Sequence, residues 1–178
     1  MTWIETKRLR LRNVTEKDAD VMYDYRNNEL CARYQRGQTK DYNGILALTA
    51  RRQGDVPSAD APCLLAAALK DTDEMVGEIV VMPSDGVVSL GYTVSYKHHR
   101  KGNAFEALTA LIEWLHARWP EKEFICFTEP ENEASMALLK KLGFRDMGCI
   151  ETKTSQVFGK WTSPFTEAAI ARAINRPV

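Results

Sequence analysis

Residues 90–108 read LGYTVSYKHHRKGNAFEAL. The stretch begins as a strand and ends as a helix. Residues 87–96, VVSLGYTVSY, are rich in β-branched and aromatic residues and follow the turn residues PSDG. From Phe105 the period changes. Phe105, Leu108, Leu111, Ile112, Leu115 and Trp119 recur at helical spacing and give one broad apolar face. Between the two lies a basic turn, His98, His99, Arg100 and Lys101, broken by Gly102. A helix start carries unpaired N–H groups and the positive end of a dipole. A strand, a glycine turn and a helix start together therefore predict an anion cradle. Neither GxxxxGK[ST] nor GxGxxG is present, so the cradle is neither a P-loop nor a dinucleotide fingerprint.

Working outward, two more strands precede this unit, CLLAAALK (63–70) and EMVGEIVVM (74–82), and an antiparallel meander is expected. After it, EFICF (123–127) is a short buried strand. Asn132 is an N-cap, and Ala134, Leu138 and Leu142 continue a helix that Gly143 ends, with Phe144 placed to close a Schellman-type terminus. Nearer the N-terminus, KRLRLRN (7–13) alternates, with Leu9 and Leu11 inward and Arg8, Arg10 and Arg12 outward. Thr15 and Asp18 form a capping-box variant that opens a helix over 16–27, and a second helix is expected over 40–53. RQGDVPSADAP (52–62) is a polar loop too short to link domains, a strand is expected near 145–158, and EAAIARAI (167–174) is ambiguous. The expectation is one mixed α/β domain spanning residues 1–178.

Composition narrows the partners. The 178 residues are 44% hydrophobic and 27% charged, with a net charge of zero, so the basic excess of a nucleic-acid binder is missing. No apolar run approaches a membrane span, and MTWIETKRLRLR holds no signal core, so a cytoplasmic protein is expected. Cys31, Cys63, Cys126 and Cys149 are singletons. Four could form two disulfides, but they are read as small buried hydrophobes in a reducing compartment. Adjacent histidines near a strand end point in different directions, so His98 and His99 are not read as metal ligands and no metal is expected.

Two motifs at this separation resemble the GNAT N-acetyltransferase superfamily, and more closely its branch of ribosomal-protein N-terminal acetyltransferases (RimJ/RimL-like). The superfamily's motif is Gln or Arg, two residues, Gly, one residue, then Gly or Ala; here it is His99, Arg100, Lys101, Gly102, Asn103, Ala104. The branch's second motif, Asn-x-x-Ser-x-x-Leu-Leu-x-Lys-Leu-Gly-Phe, runs from Asn132 to Phe144. ETKRLRLRNVTEKDA (5–19) is also similar to the branch's opening. The resemblance implies acetyl-CoA as cofactor, with its pyrophosphate on the N–H groups of Arg100 to Phe105. It also implies a pantetheine arm laid along Tyr92, Thr93 and Val94 like an added strand. The fold implied is a mostly antiparallel twisted sheet with helices on both faces, whose fourth and fifth strands splay into a V, here the strand holding Tyr92 and the EFICF strand.

The chemistry implied is attack by an amine on a thioester. The Val94 N–H is a candidate for the oxyanion. The branch's serine matches Ser135, read as a donor to the leaving sulfur, and Asn132 is read as both cap and pantetheine contact. There are departures from the superfamily: His99 replaces Gln or Arg, Leu139 stands where many members carry a tyrosine acid, and Val88 and Ser89 stand where many carry a glutamate. Glu78, inside an apolar strand, is the candidate base: it is either a buried carboxylate of raised pKa or solvent-facing. Acceptor-site candidates are Tyr34, Arg36, Tyr42, Tyr92 and Trp161. The acceptor is expected to be a primary amine, a protein N-terminus ahead of a small molecule. A non-catalytic coenzyme A sensor on the same fold is the alternative, and the protein is expected to be a monomer or homodimer.

Overall fold

A computed structural model describes residues 1–151 and 154–175. Eight strands form one sheet in the order β1-β2-β3-β4-β5-β6-β8-β7. The strands are β1 (Thr2–Glu5), β2 (Leu9–Asn13), β3 (Cys63–Leu69), β4 (Met75–Ser84), β5 (Val87–Val94), β6 (Glu123–Thr128), β7 (Arg145–Ile150) and β8 (Ser155–Lys160). The helices are α1 (Ala19–Asn27), α2 (Glu29–Ala32), α3 (Tyr42–Arg52), α4 (Asn103–Arg118), α5 (Glu133–Lys141) and α6 (Pro164–Ile174). β3, β4 and β5 make the expected antiparallel meander. Among the described residues β5 and β6 are the only parallel neighbours, so the sheet is mostly antiparallel.

Alternation decides which helix covers which face. Leu9, Leu11, Leu65, Ile79, Val81 and Leu90 meet Leu108, Leu111 and Leu115 of α4 and Leu139 of α5. Leu64, Ala66 and Met75 face the other way and meet Met22 and Tyr25 of α1 and Ile45 of α3. α6 covers the far end of that second face, where Ile170 and Ile174 pack on Ile125, Ile150 and Val157. Helices thus lie on both faces, as expected.

Local chemistry ends the elements where the sequence placed the signals. The capping box at Thr15 and Asp18 is present, although the first turn is 3-10. Gly143 has φ +82°. Its N–H donates to the Lys140 carbonyl and that of Phe144 to Leu139, which is a Schellman end.

Two readings change, and one left ambiguous is settled. Arg12 does not face solvent: it is 5% exposed and donates to both oxygens of Asp18 at 2.8 Å. The turn that opens α1, which carries Asp18, roofs that face of β2. The strand expected near 145–158 is the hairpin β7–β8; residues 152 and 153 of that span lie outside the described residues. EAAIARAI is helical, started by Ser163 and Pro164. The first strand, β1, has only four residues, too few to display a period. The splay falls between β5 and β6 because β1 adds one strand to the count. Among the described residues the four cysteines are free, and burial pushes the thiols of Cys63 and Cys126 up to about 11 and about 12. No described helix is long and apolar enough to cross a membrane.

Candidate active site

β5 and β6 stay together for two residue pairs, Val87 with Glu123 and Val88 with Phe124. The Ser89 hydroxyl donates to the Ile125 carbonyl at 2.6 Å. Beyond that point the strands part. The resulting groove, about 570 Å³, is walled by β5 from Tyr92 to Val94 and by the first turns of α4 and α5. Cys31, Tyr34 and Gln35 close it on the α1 side of the sheet.

At one end of the groove α4 begins. Gly102 is left-handed, φ +78°, and among the described residues no side chain caps the helix. The first intrahelical bond runs from the Glu106 N–H to the Gly102 carbonyl, so the N–H groups of Asn103, Ala104 and Phe105 have no partner within the helix. Arg100 is also left-handed, φ +58°, which bends the turn into a concavity of N–H groups. Lys141 lines the same end, with its ammonium 4.4 Å from the centre of the Phe105 ring. Unmet donors, a positive dipole and cations fit a diphosphate.

The turn is held from behind. Arg8 donates to Glu106 (2.6 Å) and to the Lys101 carbonyl (2.7 Å). Burial pushes the Glu106 carboxyl up, but bonds from Thr6 and Arg8 outweigh this and hold it below its ordinary range.

The β5 wall presents alternate residues to the groove. The Ser95 N–H reaches Val76 of β4, so the amides of Tyr92 and Val94 point the other way, into the opening. Two of their oxygens are already engaged. Gln35 Nε2 donates to the Tyr92 carbonyl at 3.1 Å, and His99 Nε2 donates to that of Val94 at 2.9 Å. Cys31 Sγ also donates to Val94, at 3.3 Å. His99 thus lines the groove, but a neutral ring gives its one donor to Val94 rather than to a phosphate. The His98 ring turns away to Glu74. The Val94 N–H carries no such constraint.

At the other wall Asn132 accepts from the Ser135 N–H (3.1 Å), which makes it the N-cap of α5 and places Ser135 at the third position. The Ser135 hydroxyl lies 2.8 Å from the Tyr92 hydroxyl, so the two walls meet there. Burial pushes the Tyr92 phenol up to about 12, even though the bond with Ser135 pulls the other way.

The other predicted residues divide. Tyr34 lines the groove and donates to the Glu131 carbonyl, whereas Arg36 is not among the lining residues and pairs with Glu129. Tyr42 lies outside it, bonded to Asp20 and edge-on to Tyr23 on the outer face of α1. Trp161 also lies outside, stacked 3.7 Å from His116 near the far end of α4. Thr93 turns behind the wall, toward Gln38. Glu78 is 2% exposed and holds Arg26 through both oxygens, at 2.5 and 3.1 Å, with Gln38 on one of them. A carboxylate so engaged anchors α1 to β4, and Glu78 is not among the residues that line the groove. Gln35, Cys31 and Lys141 were not anticipated. Nothing in a sequence marks which loop side chains will fold across a strand edge.

A family model for the acetyltransferase (GNAT) domain matches residues 8–145. The chain is 27% identical over 147 residues to the uncharacterized N-acetyltransferase YnaD of Bacillus subtilis (strain 168), covering 82% of this chain and 84% of YnaD. A GNAT-family acetyltransferase from Bacillus anthracis superposes with a TM-score of 0.75 over 90% of this chain and 98% of its own, at 20% identity. RimL, a ribosomal L7/L12 alpha-N-protein acetyltransferase solved with coenzyme A, gives 0.73 over 90% and 97%, at 14% identity. The splayed strands, the uncapped helix start and the match across residues 8–145 lead to one conclusion: this chain belongs to the GNAT acetyltransferase family.

Proposed function

We propose that the protein transfers the acetyl group of acetyl-CoA to a primary amine, with a protein N-terminus favoured over a small-molecule amine. The observation that carries this reading is the groove, open between β5 and β6 and ending on the unmet N–H groups of α4. Asn103, Ala104 and Phe105 would hold the pyrophosphate through their N–H groups, with Arg100, Lys101 and Lys141 adding charge. The Tyr92–Val94 edge would pair with the pantetheine amides. Acetyl-CoA would supply an activated thioester. The Val94 N–H then favours the oxyanion, and Ser135 donates a hydrogen bond to the departing thiolate, which the N-terminal dipole of α5 also favours.

No carboxylate in the groove is assigned as base. An α-amine, of pKa near ~8, presents a neutral fraction at physiological pH that a lysine side chain, near ~10.4, does not. This supports the N-terminal acceptor, as does the sequence motif Asn132–Phe144. The test is a panel of peptides, amino acids, polyamines and aminoglycosides assayed for free-thiol release. Release with peptides carrying a free N-terminus is the expected result. Binding of acetyl-CoA without release for any amine would favour the coenzyme sensor instead.

A further inference from the structure

The tyrosine acid common in the superfamily is absent from α5, where Leu139 is buried in the core. A tyrosine nevertheless reaches the first turn of α5 from the opposite wall. Tyr92, on β5, places its hydroxyl 2.8 Å from Ser135 Oγ, and neither oxygen has another side-chain or backbone partner among the described residues. The pair holds two protons and one shared hydrogen bond, so one O–H remains to point elsewhere.

We infer that Tyr92 is a positioning residue for Ser135: its phenol donates to the serine oxygen and so directs the serine's own proton into the groove, toward the departing sulfur. This rests on the acetyltransferase reading above. A phenol is the better donor and an aliphatic hydroxyl the better acceptor, so the bond runs from tyrosine to serine. Accepting that bond polarises the serine O–H and makes it a stronger donor. A phenol that titrates near about 12 keeps its proton throughout the working range, so the arrangement does not change with pH. It is also too weak an acid to protonate a thiolate of ordinary pKa, near ~8.5. No proton need leave Tyr92. As the C–N bond forms and the C–S bond breaks, the negative charge stays on sulfur, held by the serine O–H, until solvent protonates it, and the new amide nitrogen releases its extra proton to solvent.

The test is a double-mutant cycle on Tyr92→Phe and Ser135→Ala, measured with acetyl-CoA and the best amine found. Tyr92→Phe keeps the ring and its packing. It should lower kcat about 3- to 10-fold, the factor for one neutral hydrogen bond, with little change in KM for acetyl-CoA. Ser135→Ala should lower kcat about 10- to 1,000-fold. The double variant should match Ser135→Ala alone, because Tyr92 acts only through that hydroxyl. Losses that multiply would overturn the proposal. A second readout needs no turnover: titration of the thiol of bound coenzyme A. Tyr92→Phe should raise its apparent pKa, and should have no effect once Ser135 is alanine. An unchanged thiol pKa in Tyr92→Phe overturns the inference. If the parent binds coenzyme A but acetylates no amine, the transferase reading falls and this titration still decides the pair; no binding at all overturns both.

Discussion

Gly102 concentrates the anion-binding argument in one residue. Its φ of +78° lies where a β-branched residue is strained, and its turn delivers the first N–H groups of α4. A Cβ there would sit 3.4 Å from an Arg8 nitrogen, an ordinary contact, so the protein side offers room and the difficulty is the backbone angle. Gly102→Val should therefore remove detectable coenzyme binding by calorimetry while the protein keeps its circular dichroism spectrum. Binding at parental strength would place the cradle elsewhere. At this scale the sequence was informative where chemistry is local. The cap at Asn132, the Schellman end at Gly143 and the glycine turn all depend on neighbours within a few residues, and all form as expected. His99 and Tyr92 were harder to read. Their partners, the Val94 carbonyl and the Ser135 hydroxyl, are fixed by how a strand end and a helix start approach in space.

Among elements, the Arg26–Glu78 pair joins α1 to β4 under the segment that crosses the groove. Both side chains are nearly inaccessible, so removing one charge leaves the other buried and unpaired. Glu78→Gln should cost about 3–5 kcal/mol in chemical denaturation, while the fraction that remains folded keeps its turnover. A stable variant that has lost turnover would restore Glu78 to the role of base. Sequence left Glu78 open because alternation identifies the faces of a strand, and here both faces of β4 are covered by helices. Arg12 illustrates the same limit: its strand alternates charge and leucine, yet its charged face is roofed. By contrast β3 to β6, α4 and α5 were legible because each carries a full period of its own. α6 has a local start signal at Ser163 and Pro164, but the face it packs, Ile170 and Ile174 on Ile125, Ile150 and Val157, is set by the sheet.

For the molecule as a whole, a ligand held between two walls of one sheet binds only the folded chain. Acetyl-CoA at about 100 times its Kd should add about 2.7 kcal/mol, a rise of about 5–10 °C in Tm for a chain of this size. Adenosine 3′,5′-bisphosphate, which lacks the arm that lies along β5, should raise it less. No shift at millimolar acetyl-CoA would remove the cofactor assignment. The parting of β5 from β6 has a further consequence, for solubility. Most sheets end in two outer edges whose unpaired amides invite another chain to add on. Here a second pair of edges lies inside the sheet, facing each other beneath α4, α5 and the chain around Tyr34. Their carbonyls at Tyr92 and Val94 are engaged by Gln35 and His99. The protein can thus keep strand amides open to a small extended ligand without exposing a template on which a neighbouring polypeptide could aggregate.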